Sequence, residues 1–167
     1  MNRILIAVAA VVPLVASALE VTIDRNSPEA EKDFSYHVGK MGASANVTLK
    51  TAEHPYAVCS DVAEAFRLKV ADGKAWVSGR SAAAVSHGLY ELLERMGCRW
   101  VMPGEIGEVI PKCADPCPAD CDVEESPSFA VRCPWYTGSV RNRIAREWED
   151  YDLWKLRHKL HLEREHH

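Results

Sequence analysis

No apolar stretch in this 167-residue chain reaches the roughly 20 residues that a membrane-spanning helix needs; the longest runs from Ile4 to Val15. No Lys/Arg stripe is interleaved with aromatics, and the formal net charge is -4, which leaves nothing to attract nucleic acid or an anionic membrane. There is no phosphate-cradling Gly-rich loop, no G-x-S-x-G elbow and no internal repeat. With 47% apolar and 26% charged residues, the composition excludes a disordered or low-complexity chain. One domain with a short extension is the expected scale.

The N-terminus carries a specific pattern. Arg3, the apolar run Ile4–Val15 and the Ala16-Ser17-Ala18 site match a cleavable secretory signal over residues 1–18. The mature chain is therefore expected to be secreted or periplasmic, with no membrane contact after cleavage. Six cysteines (Cys59, Cys98, Cys113, Cys117, Cys121 and Cys133) fit an oxidising compartment and are all disulfide candidates. Six allow fifteen pairings, among which sequence does not choose. Zinc is the rival for Cys113, Cys117 and Cys121 with Cys133 or a histidine. Their spacing matches no established zinc pattern, so no metal and no cofactor are assigned.

Alternation over Glu20–Asp24 predicts a first strand. Ser27-Pro28, with Glu29 and Glu31 behind it, predicts a helix start, and Ala30, Phe34, Val38 and Met41 give that helix its apolar stripe until Gly42. Asn46–Leu49 reads as a second strand. Asp72-Gly73 between two alternating runs predicts a type I′ hairpin with Val70 facing Ala75, Leu68 facing Val77 and Phe66 facing Gly79. Lys69 then lies opposite Trp76, in position for a cation–π contact. Ser81 caps a second helix running to about Met96 and ended by Gly97. Short strands are expected at Arg99–Met102, Glu108–Ile110 and Phe129–Arg132, and residues 111–128 read as a Cys/Pro-rich linker. Residues 142–167 look helical, with Ile144, Trp148, Leu153, Trp154, Leu156 and Leu160 as anchors. The expected class is α+β: a small, mainly antiparallel sheet with helices packed on one face.

Over residues 65–79 the hairpin resembles that of the small N-terminal domain of bacterial-type β-hexosaminidases and α-glucuronidases. Gly88–Glu94, followed by Met96-Gly97-Cys98-Arg99-Trp100, resembles that domain's last helix and exit. Pro103–Pro111 resembles a segment shared with related secreted proteins, and Glu125–Arg132 the approach to the first strand of their catalytic barrel. The resemblance implies a non-catalytic domain at 19–111, a linker at 112–128, and the start of a truncated (β/α)8 barrel, or its orphan remnant, at 129–167. A barrel takes roughly 250 residues, so its catalytic carboxylates are expected outside this chain. The implied role is an accessory domain of an exported glycoside hydrolase, inactive alone, which meets a glycan substrate through a downstream barrel. A free-standing, disulfide-stabilised carbohydrate- or protein-binding module is the alternative.

Among individual residues, the resemblance points to Arg132, whose forked donors suit vicinal hydroxyls, and to Trp135 as a sugar-stacking ring. Read without it, Arg132 is a structural ion pair or an exposed side chain, and Trp135 with Tyr136 packs a seam. Glu147, Glu149, Asp150 and Asp152 read as a solvated helical face partnered by Arg143, Arg146 and Lys155. His87 reads as a capped or packed histidine. His158, His161, His166 and His167 read as a frayed tail. No residue is assigned a catalytic role.

Overall fold

The computed structural model describes residues 18–50, 55–134 and 145–161. Residues 1–17 of the signal-like segment, Trp135 and Tyr136, Arg143 and Ile144, and His166 and His167 lie outside them. The elements are β1 (Leu19–Ile23), α1 (Pro28–Met41), β2 (Ala45–Leu49), β3 (Phe66–Ala71), β4 (Lys74–Gly79), α2 (Ala82–Arg95), β5 (Arg99–Trp100), β6 (Glu108–Val109), β7 (Cys121–Glu125) and α3 (Ala145–Arg157). A 3-10 turn at Glu105–Gly107 joins β5 to β6.

The hairpin forms in the register the turn chemistry dictates. Asp72 and Gly73 take φ of 51° and 73°, and Phe66, Leu68 and Val70 pair with Gly79, Val77 and Ala75. Those three residues of β3, with Ala75 and Val77, are buried, as are Leu19, Val21 and Ile23 on β1. The buried face receives α1 through Ala30, Phe34, Val38 and Met41, and α2 through Ala84, Val85, Leu89, Leu92 and Leu93. Gly97, in the left-handed region at φ 97°, stops α2 and lets the Cys98 amide return to Leu93 O.

The sheet is mixed, not mainly antiparallel. Its order is β2-β1-β4-β3-β7, with β1 parallel to both β2 and β4. The cause is α1, which carries the chain back across the sheet so that β2 runs alongside β1 in the same direction. The expected linker at 112–128 also needs correction, because Cys121–Glu125 pairs antiparallel with β3 and closes that edge. Its Cys-Asp-Val-Glu-Glu sequence carries little apolar alternation, as suits a charged outermost strand.

No barrel begins within the described residues. Phe129–Arg132, expected as a strand, is coil with Phe129 and Val131 exposed. It turns instead to the end of α3, where the His161 amide donates to Arg132 O (2.9 Å). Among the described residues no helix is long and apolar enough to cross a membrane.

None of the six cysteines is joined in a disulfide. Cys98 is sealed in the core, where burial pushes its thiol up to about 11. Cys121 sits on the outer strand, Cys113 and Cys117 on the segment leading to it, and Cys59 and Cys133 on exposed coil. Lys69 lies over the Tyr56 ring (5.9 Å), and Tyr56 in turn meets Trp76 edge to face (5.3 Å).

The third helix is anchored by a buried ion network that sequence reasoning did not find. Arg157 donates from Nε and Nη2 to both carboxylate oxygens of Asp33 on α1 (2.9 Å each) and from Nη1 to Glu108 on β6 (2.8 Å). Its guanidinium also sits 5.5 Å from the centroid of buried Trp100. Trp100 Nε1 donates to His37 Nε2 (2.9 Å), which leaves His37 Nδ1–H to donate to Asp33 O (2.8 Å). The Trp100 carbonyl accepts from Trp154 Nε1 and His158 Nε2 on α3's side.

Two substitutions test this packing. A Cβ at Gly88 meets Val77 Cγ1 at 2.4 Å, so Gly88→Ala is expected to cost about 1–3 kcal/mol despite alanine's better helix propensity. A thermal melt reads it. Arg157→Met leaves two buried carboxylates unpaired and is expected to cost about 3–5 kcal/mol in urea denaturation. Adding Asp33→Asn and Glu108→Gln is expected to recover most of that loss.

Candidate functional site

The pocket richest in chemistry lies where β3, α2, β7 and the end of α3 meet. Its volume is about 190 Å³. β3 contributes Phe66 at its first residue, with Glu64 two positions before it. The strand's alternation turns Phe66 inward at the sheet's end, away from the turn. α2 contributes His87, six residues after the Ser81 cap, where Ser81 Oγ accepts from the Ala84 amide. β7 runs out through Glu125 into Ser126 and Pro127, and the turn after α3 brings His158 and Lys159.

Arg132 enters this pocket but spends its donors within the protein. Nε donates to Lys159 O and Nη1 to Phe129 O (3.0 Å each), and Nη2 forms an ion pair with Glu64. His161 Nε2 meets the other Glu64 oxygen at 2.7 Å. Burial alone raises the Glu64 carboxyl, but Arg132 and His161 outweigh it and hold the group below the usual carboxylate range. Lys159 pairs with Glu91 (2.5 Å) and Glu125 (3.2 Å), and Arg95 adds a second cation to Glu91 (2.9 Å). Against the opposing effect of burial, these partners hold Glu91 low and Lys159 high.

His87 is the exception in this balanced cluster. Among the described residues nothing hydrogen-bonds its ring, although it is 4% exposed. Burial drives its pKa down to about 4, with the neighbouring Glu64 opposing and Arg132 and Lys159 assisting. It is a packed histidine as expected, yet it lines an open space rather than a filled core.

The remaining candidates fall elsewhere. Trp135 lies outside the described residues. Glu149, Asp150 and Asp152 border a second, larger cleft of about 580 Å³ between α1, the 104–108 segment and α3, while Asp152 pairs with buried Lys155 at 2.8 Å. The side chain of Glu147 is not described. His158 and His161, read as a frayed tail, are held by Trp100 O and by Glu64. Among the described residues no three His, Cys, Asp or Glu side chains gather where they could hold a metal ion. Sequence reasoning missed Glu64, Glu91 and Lys159. Glu91 and Arg95 at i, i+4 spacing was the one signal on offer.

No family model matches the chain, and no curated protein matches it. Ten chains of solved structures do match. One is a GH138 enzyme targeting pectin rhamnogalacturonan II, 15% identical, with a TM-score of 0.41. The match covers 68% of this chain and 16% of that one. This chain thus spans about a sixth of that enzyme's length.

His87 contributes the upper part of the acid limb of stability. Its folded pKa lies below its unfolded value near 6.5, so the unfolded chain binds a proton that the folded chain does not. Stability is therefore lost as pH falls from 6.5 to about 4, by about 3 kcal/mol, and no further below that from this residue. His87→Leu is expected to flatten that window in pH-dependent denaturation. The loss that remains below about 4.5, where Glu64 and Glu91 protonate, is expected to persist.

Proposed function

We propose that this chain supplies a non-catalytic accessory domain of an exported glycoside hydrolase. The observation that carries the reading is the state of the carboxylates around the pocket. Glu64, Glu91 and Glu125 each have a cationic partner, and Glu64 and Glu91 are held below the usual range. Glycoside hydrolysis generally needs one carboxyl kept protonated, with a raised pKa, to protonate the leaving oxygen. Glu64 and Glu91, held toward the ionised form, offer no such donor.

The ordered resemblance supports the family side of the reading. Hairpin, helix and exit follow one another in the described fold as β3–β4, α2 and β5, with α2 laid on the hairpin through Gly88. In this reading the catalytic barrel is a separate, downstream unit that meets the glycan. The signal-like residues 1–18 direct the chain out of the cytoplasm, to a secreted or periplasmic location.

Hydrolysis of aryl glycosides, N-acetylglucosaminide and glucuronide among them, tests the proposal. The 167-residue chain is expected to show no turnover above buffer. A version extended through any open frame beyond His167 is expected to be active. Turnover by the shorter chain, lost in Glu64→Gln or Glu91→Gln, overturns the reading.

A further inference from the structure

We infer that the pocket beneath His87 is a binding site for a neutral, hydroxyl-bearing small molecule about the size of one sugar unit. His87 is 4% exposed, lines the pocket, and has no hydrogen-bond partner among the described residues. Its ring nitrogens are not sealed off from the open space either, unlike Ser78 Oγ and Tyr90 Oη, which are enclosed. Buried polar groups almost always have partners, and one left facing a cavity is a place for a ligand to supply them.

The chemistry of the walls selects the ligand. A neutral imidazole offers one donor and one acceptor, and a hydroxyl group complements both. The charges around the pocket are already matched, Arg132 with Glu64 and Lys159 with Glu91 and Glu125. An ionic ligand would have to separate one of those pairs and leave a partly buried charge unpaired, which is costly. A hydroxylated molecule leaves the pairs intact, because it donates to carboxylate oxygens that have further lone pairs and accepts from Ser126 or the imidazole N–H. Phe66 and Pro127 provide an apolar surface against which the C–H face of a ring packs. A volume of about 190 Å³ admits one ring and not an extended chain.

This inference stands apart from the glycoside hydrolase reading, since binding is measured without turnover and either can fail alone. The test is a titration of the full chain followed through the histidine ring Cε1–Hε1 signals in NMR. Methyl glucoside, methyl N-acetylglucosaminide and inositol serve as neutral probes, with acetate and methylammonium as charged controls. The His87 signal is identified by its absence from His87→Phe. A saturable shift with at least one neutral probe is expected, in the millimolar range usual for so small a contact. Read through the His158 signal, which also lines the pocket, that response is expected to vanish in His87→Phe, and through either histidine to weaken several-fold in Ser126→Val, a rim change that spares the core should the first variant not fold. The inference is overturned if no neutral probe saturates the signal, in which case the pocket holds water only. It is equally overturned if the charged controls bind more tightly, or if the probes bind unchanged in both variants.

Discussion

The buried guanidinium of Arg157 sets the geometry around it. An ion taken out of water loses several kcal/mol of solvation, and only close, well-aligned counter-charges restore it. Asp33 and Glu108 supply them from two elements distant in sequence, α1 and β6, and Trp100 offers its ring face on a third side. Such a site tolerates little displacement. The α3 helix, whose sequence is too polar to hold itself by apolar burial alone, is therefore seated in one position. The same constraint fixes Trp100, whose indole N–H holds His37 in one tautomer and whose carbonyl caps two donors from α3.

The pocket follows from that anchoring. Two residues beyond the end of α3 at Arg157, Lys159 takes φ of 58°, which turns the chain back over the sheet. There Lys159 meets Glu91 and Glu125, and His161 meets Glu64. Arg132 then ties the coil after β7 to the same turn. Four segments far apart in sequence converge on one small space because α3 cannot sit elsewhere without breaking its ion network.

What sequence reasoning could read divides along this line. The hairpin, the starts of both helices and the core stripes are written in local chemistry: Asp72-Gly73, Ser27-Pro28, Ser81 and the apolar spacing of Phe34, Val38, Leu89 and Leu92. Parallel pairing of β1 with β2 and β4 was not legible, since strand direction depends on where α1 returns the chain. Nor was β7, because an outermost strand gains backbone pairing without an apolar signature. Arg132 was legible as a residue of interest, but its partners were not, being 68 positions away at Glu64 and 27 away at Lys159. Arg157 read as one more charge on a charged helix, and nothing local distinguishes a buried arginine from a solvated one.

The same pairing of charges limits what the pocket's groups can do with protons. General acid–base chemistry needs a group whose proton is available near the working pH. Glu64 and Glu91 are matched to cations that hold them below the usual carboxylate range, and His87 is held in the neutral form by burial down to about pH 4. Both kinds of group are thus fixed in one protonation state across the neutral range. Fixed donors and acceptors at fixed positions are poor material for moving protons and good material for recognising hydroxyl groups, whose dual hydrogen-bonding character needs no change of charge on either side.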